Sequence, residues 1–260
     1  MHKGKSGGMV RSLIAVLFAT GVAGSSALAD QREDFLAGKT RNCPGCDLSG
    51  QSFKRRDLAN ADLTGANLKD ANFHDARLNN ARLGGADLSA ANLNKANLSR
   101  ANLTGAKLHE AMLYAANLDG ANLAGADLTD AMMGTARLTR TDLARATLRN
   151  VDLRKGRLAE ANLADADLSA IALDFAMMRG VKLDGAALVE ARLLGAELLD
   201  ASLKGADLTD VDAQGASFRG ADFTRAKLAG TNFRRANLHD AKLDEAIFDR
   251  TMMPDGTTMP

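Results

Sequence analysis

From residue 48 to residue 248, one position in every five is restricted, and the register never breaks. Of these 41 positions, 32 are Leu, six are Phe (Phe53, Phe73, Phe218, Phe223, Phe233, Phe248), two are Met (Met133, Met178) and one is Ala213. Two residues before each lies a second restricted position, Ala in 31 of the 41 units. The unit is small-x-large-x-x, as in Ala61-Asp62-Leu63-Thr64-Gly65. A fixed internal period of this kind governs the fold before any other feature does.

A period of five fits neither regular structure. On an α-helix five residues advance about 500°, which spreads successive Leu around the cylinder. On a continuous strand, odd spacing sends alternate Leu to opposite faces. Within one unit, however, Ala and Leu are two apart and share one side of a short extended segment. The remaining residues must then turn the chain. Gly65, Gly85, Gly105, Gly125, Gly185 and Gly205 all sit two residues after the Leu, where a turn with φ > 0 favours Gly. Segment and corner repeated give a polygonal coil, with Leu and Ala inside and Asn, Asp, Ser, Thr, Arg and Lys outside. At Val211-Asp212-Ala213 the large position shrinks while the small one grows, a swap that conserves volume in a close-packed interior.

This uninterrupted pattern resembles the pentapeptide-repeat family over residues 43–250. The resemblance implies an all-β fold, a right-handed quadrilateral β-helix with four units per coil. Forty-one units then make about ten coils, a rod of roughly 50 Å at ~4.8 Å per coil.

Residues 1–29 follow a different grammar. Lys3, Lys5 and Arg11 precede an apolar run from Leu13 to Ala23, and the segment closes on Ala27-Leu28-Ala29. That is a secretory signal peptide with cleavage expected after Ala29. The run is shorter than the ~20 residues a membrane span needs, so no stable insertion is expected after cleavage. Losing the three bases takes the formal charge from +1 to −2. Near-neutrality argues against nucleic acid as a partner. The expected location is the periplasm or the outside of a bacterial cell.

Both ends need caps, because terminal coils expose an apolar cross-section and open strand edges. Residues 30–42 form the N-terminal cap segment, with a short helix expected over Asp30–Lys39 whose Phe35 and Leu36 cover the first coil. The register projected backwards places Cys43 and Cys46 inward, as a large and a small position. A c-type haem needs His where Asp47 stands, a zinc site needs further ligands, and a redox motif needs a βαβ context. A cap disulfide and a pair of buried thiols both remain open, and no cofactor is expected. Residues 251–260 form a tail whose Pro254-Asp255-Gly256 turn ends the coil. In some relatives of the resembled family the C-terminal coil is a dimer seam, which adds a homodimer to the expectations.

With four units per coil, residues twenty apart stack on one face. The face of Leu68 and Leu88 carries eleven acids against five bases over residues 46–250. The face of Phe73 and Leu93 carries eight bases against four acids. On that second face Met112, Tyr114, Met132, Phe175 and Leu194 fall at outward positions, and stacked outward apolar residues mark a contact surface. His74, His109 and His239 fall on three different faces, so no catalytic or metal constellation is expected. The reading is therefore a non-catalytic exported scaffold that presents flat faces to an unknown protein or envelope component. The alternative is a DNA mimic that binds gyrase, as quinolone-resistance members of the resembled family do, but those are strongly acidic rods.

Overall fold

The computed structural model describes Met1 and residues 23–260. Residues 2–22, most of the expected signal peptide, lie outside the described residues. Three named elements are present: helix α1 (Ala23–Leu36) and the two-residue strands β1 (Thr251–Met252) and β2 (Thr258–Met259). Everything between is a ladder of single parallel bridges, each joining a residue to the one twenty further on, from Asn42↔Asp62 to Asn232↔Met252. Four five-residue units therefore make one coil of a quadrilateral β-helix.

One unit shows how the backbone is satisfied. Leu163 N–H donates to Lys182 O (2.7 Å) and Asp165 N–H to Asp184 O (2.9 Å), both on the following coil. Asn162 N–H reaches back to Thr141 O (2.9 Å), and Ala166 N–H closes the corner on Leu163 O (3.1 Å). The fifth amide, Ala164 N–H, donates to the Asn162 side chain at 3.3 Å. Buried or half-buried amides need partners, and the residue before the large position is Asp or Asn in 21 of the 41 units. Its side-chain oxygen supplies the one acceptor that the ladder lacks.

The corner residue two after each Leu is left-handed throughout, from Gly45 to Arg250. Many corners are Gly, but Arg55, Lys95, Glu110, Thr135 and Phe175 adopt the same φ, between 54° and 61°. A side chain in that region costs about 1–2 kcal/mol, least for Asn and Asp. Stacking of coil on coil imposes the conformation, and the core offsets its cost.

The core is the stack itself. Leu63, Leu163 and Leu203 are fully buried, as are Ala61, Ala161 and Ala201 within a percent. Val211 and Ala213 are buried together, and Phe233 follows Ala213 in the same column. Phe218, Phe223 and Phe233 pack with ring centroids 5.2–5.8 Å apart. Where Thr replaces Ala it is buried, and its hydroxyl donates to a carbonyl: Thr141 to Leu118 O, Thr231 to Leu208 O and Thr251 to Leu228 O, at 2.7–2.8 Å.

The N-terminal cap differs from expectation in extent. Among the described residues the helix covers Ala23–Leu36, crossing the expected cleavage position instead of running from Asp30 to Lys39. It stops early because Gly38 turns left-handed (φ 77°) and Lys39 N–H folds back onto Asp34 O (2.9 Å). Phe35 is fully buried, edge-on to Phe53 at 5.5 Å, with the Arg56 guanidinium over its ring and donating to its carbonyl. Cys43 and Cys46 point inward and are joined as a disulfide.

At the other end the coil runs past residue 250. Thr251 takes an inward small position, Phe233 N–H reaches Met252 O and Arg235 N–H reaches Pro254 O. The chain then turns at Asp255-Gly256 and β2 pairs antiparallel with β1. This hairpin covers one side of the last coil. Leu238, Leu243 and Phe248 stay partly exposed, and no following coil meets their amides.

Candidate functional site

On the side of the rod that holds Phe73 and Leu93, six successive coils shape a groove of about 550 Å³. Each contributes the outward residues that flank an inward Leu or Met, so the ladder sets their spacing at ~4.8 Å per coil. Met112, Tyr114, Met132, Phe175 and Leu194 all line it. The structure thus brings together the five outward apolar residues picked out by register. Tyr114, Met132 and Phe175 are each at least half exposed.

Two glycines make room for the rings. A methyl group on Gly134 would fall 3.3 Å from Tyr114 Cδ2, and one on Gly195 would fall 2.8 Å from Phe175 Cε1. Each ring therefore lies across the glycine of the following coil. Two groove residues also occupy costly corners. Thr135 (φ 59°) is β-branched and Phe175 (φ 58°) is aromatic, whereas other non-glycine corners carry Asp, Asn, Arg, Lys, Glu or Ala. Left-handed backbone at such residues is a genuine outlier.

Charged residues share the groove: Asp152, Arg154 and Lys155 on one coil, and Asp174 and Arg192 on the coils of Phe175 and Leu194. Arg154 donates through Nε and Nη2 to the two oxygens of Asp152 (2.8 and 2.7 Å). Those bonds hold the Asp152 carboxyl below the ordinary carboxylate range, against the opposing effect of burial. One coil on, Asp174 is buried, pairs with Arg192 (2.9 Å) and accepts Leu194 N–H (3.3 Å). Lys155 also lines the groove. In the groove coils Met112, Met132, Ala172 and Arg192 stand where about half of the units carry an amide-accepting Asp or Asn. Tyr114 N–H turns instead to Asn94 Oδ1 of the previous coil (2.8 Å). Asp152 interrupts these exceptions and keeps the amide-accepting role, taking Arg154 N–H at 3.2 Å.

His74, His109 and His239 lie on separate sides, and no group able to hold a metal exists among the described residues.

The model of pentapeptide repeats matches in segments that run from 46–85 to 216–253. The chain belongs to the pentapeptide-repeat family. HetL, a pentapeptide-repeat protein involved in heterocyst differentiation regulation in the cyanobacterium Nostoc sp. strain PCC 7120, is 30% identical with a TM-score of 0.71, over 88% of this chain and 98% of its own. That likeness makes the fold the right-handed quadrilateral β-helix of the family. Rfr23 from the cyanobacterium Cyanothece 51142 is 33% identical over 40% of this chain and 64% of its own, with a TM-score of 0.27. QnrB1, a plasmid-mediated fluoroquinolone resistance protein, is 21% identical over 64% of this chain and 81% of its own, with a TM-score of 0.39. Among curated proteins, none matches the chain.

Proposed function

We propose that this pentapeptide-repeat protein is a non-catalytic scaffold, exported from the bacterial cytosol, that holds a partner protein in the groove of Tyr114 and Met132. One observation carries the reading. Five outward apolar residues, separated by up to 82 positions in sequence, line a single groove on a rod whose other outward positions are mostly polar. Apolar and aromatic residues gathered on an otherwise solvated surface mark an interaction site. The signal-peptide grammar of residues 1–29 supports export to the periplasm or beyond.

The DNA-mimic alternative draws less support. Carboxylates on this rod pair with bases of a neighbouring coil, as in Arg82–Asp62, Arg77–Asp57 and Lys227–Asp207. A formal charge near zero gives such a rod little likeness to duplex DNA.

Crosslinking in intact cells, followed by identification of the captured protein, tests the scaffold reading. Replacing Tyr114 and Met132 together with Ser is expected to abolish the capture while leaving the circular dichroism spectrum unchanged. Undiminished capture would remove the groove from the account.

The final coil favours a second contact, a homodimer end to end, because Leu243 and Phe248 are partly exposed beside open strand edges. Sedimentation should show a dimer that Phe248→Asp converts to monomer. A monomer at every concentration would dismiss that seam.

A further inference from the structure

We infer that the groove takes an extended segment of the partner in which one carboxylate lies between two apolar side chains. The inference rests on the partner-binding reading above and names the chemistry of what is bound. Three observations lead to it.

The first is charge. Asp174 keeps 6% of its side-chain surface exposed and Asp152 keeps 36%, against 60% for Arg192 and 58% for Arg154. The carboxylates lie beneath and the guanidiniums above, so a ligand meets the cations. Lys155 is exposed on the coil of Arg154 and makes no ion pair among the described residues. An anion is therefore the complementary group at mid-groove.

The second is spacing. Tyr114 with Met112 and Met132 lies on one side of the coil that holds Arg154 and Lys155, and Phe175 with Leu194, on the coils of Asp174 and Arg192, lies on the other. Tyr114 and Phe175 are three coils apart, about 14 Å along the rod. In an extended chain the side chains of residues i, i+2 and i+4 share one side and span roughly 13–14 Å. An apolar-x-acidic-x-apolar segment lying along the rod would seat its first and last side chains on the two rings and its carboxylate at Lys155.

The third is the floor. Because Met132 stands in place of an Asp or Asn, Gly134 N–H has no acceptor among the described residues. A main-chain carbonyl of an extended ligand supplies one.

The probe is the fluorescent peptide Ser-Phe-Thr-Glu-Thr-Leu-Ser, titrated with the purified protein and followed by anisotropy. Saturable binding in the range of about 10–500 μM is expected, as for a small groove with few anchors. Changing the peptide Glu to Lys, or its Phe and Leu to Ser, should weaken binding at least about tenfold. In the protein, Tyr114→Ser should do the same, and Lys155→Glu should reverse the Glu-over-Lys preference. Equal affinity for the Glu and Lys peptides, indifference to Tyr114→Ser, or no saturable binding up to about 1 mM overturns the inference. So does a groove filled by a second copy, seen as a dimer that Tyr114→Ser dissociates and the peptide does not displace. If the peptides fail while capture in cells still requires Tyr114 and Met132, only this inference falls. If capture is indifferent to both residues, the scaffold reading falls with it.

Discussion

Leu163→Ala is expected to cost about 2–5 kcal/mol, read as a lower denaturation midpoint. Leu163 is fully buried mid-rod, between Leu143 and Leu183 of the adjoining coils. Its backbone is fixed by bonds to both neighbouring coils, at Leu163 N–H and at the flanking Asn162 N–H. A stack held at that spacing has little freedom to collapse into the space left by an isobutyl group, so most of the cavity persists. A surface control such as Lys155→Ala should move the midpoint by no more than ~0.5 kcal/mol. An unchanged melting curve for Leu163→Ala would contradict the inward assignment.

The second large effect is acid sensitivity. The Asp residues that accept the fifth amide of their unit form a ladder along the rod. Asp47 and Asp222 are held below the ordinary carboxylate range chiefly by hydroxyl bonds from Ser49 and Thr224. For Asp62, Asp87, Asp167 and Asp207 burial pushes upward most strongly, but hydroxyl, amide and neighbouring cationic groups together outweigh it. A carboxyl whose pKa is lower folded than unfolded adds stability above its unfolded value, and that stability disappears as pH falls through the folded value. All six act in one direction, so the rod should hold constant stability from neutral pH down to about 5 and lose it steeply below about 4. Asp167→Asn should flatten part of that fall, because the amide still accepts Ser169 but does not titrate. A midpoint that stays level between about pH 7 and pH 3 would show that the ladder carries no such linkage.

Much of this was legible from spacing alone. Small-x-large-x-x placed every inward residue, including Cys43 and Cys46 ahead of the regular units and the Val211/Ala213 exchange within them. Once residues twenty apart were stacked, the same register put Tyr114, Met132 and Phe175 on one side. The corners were only partly readable. Gly65 and Gly105 announce a left-handed turn, whereas Arg55, Thr135 and Phe175 do not, since the stack rather than local propensity forces their φ. The charged half of the groove was hidden for a related reason. Burial of Asp174 depends on Arg192 and Leu194, eighteen and twenty residues away, and the ring positions depend on Gly134 and Gly195. The cap helix was misjudged in length because its end is set by a local turn at Gly38 and by Phe35 docking on Phe53. Disulfide closure at Cys43 and Cys46 follows from a three-dimensional approach that a list of alternatives could not rank.

The claim that one side of the rod is the working surface meets its most direct test in a single coil. A photoreactive residue is placed in turn at Lys107, Tyr114, Asn117 and Asn122, one on each side, and activated in living cells. A discrete adduct from position 114 alone is the predicted result. Adducts of equal yield from all four sides, or from any side but that one, would contradict it.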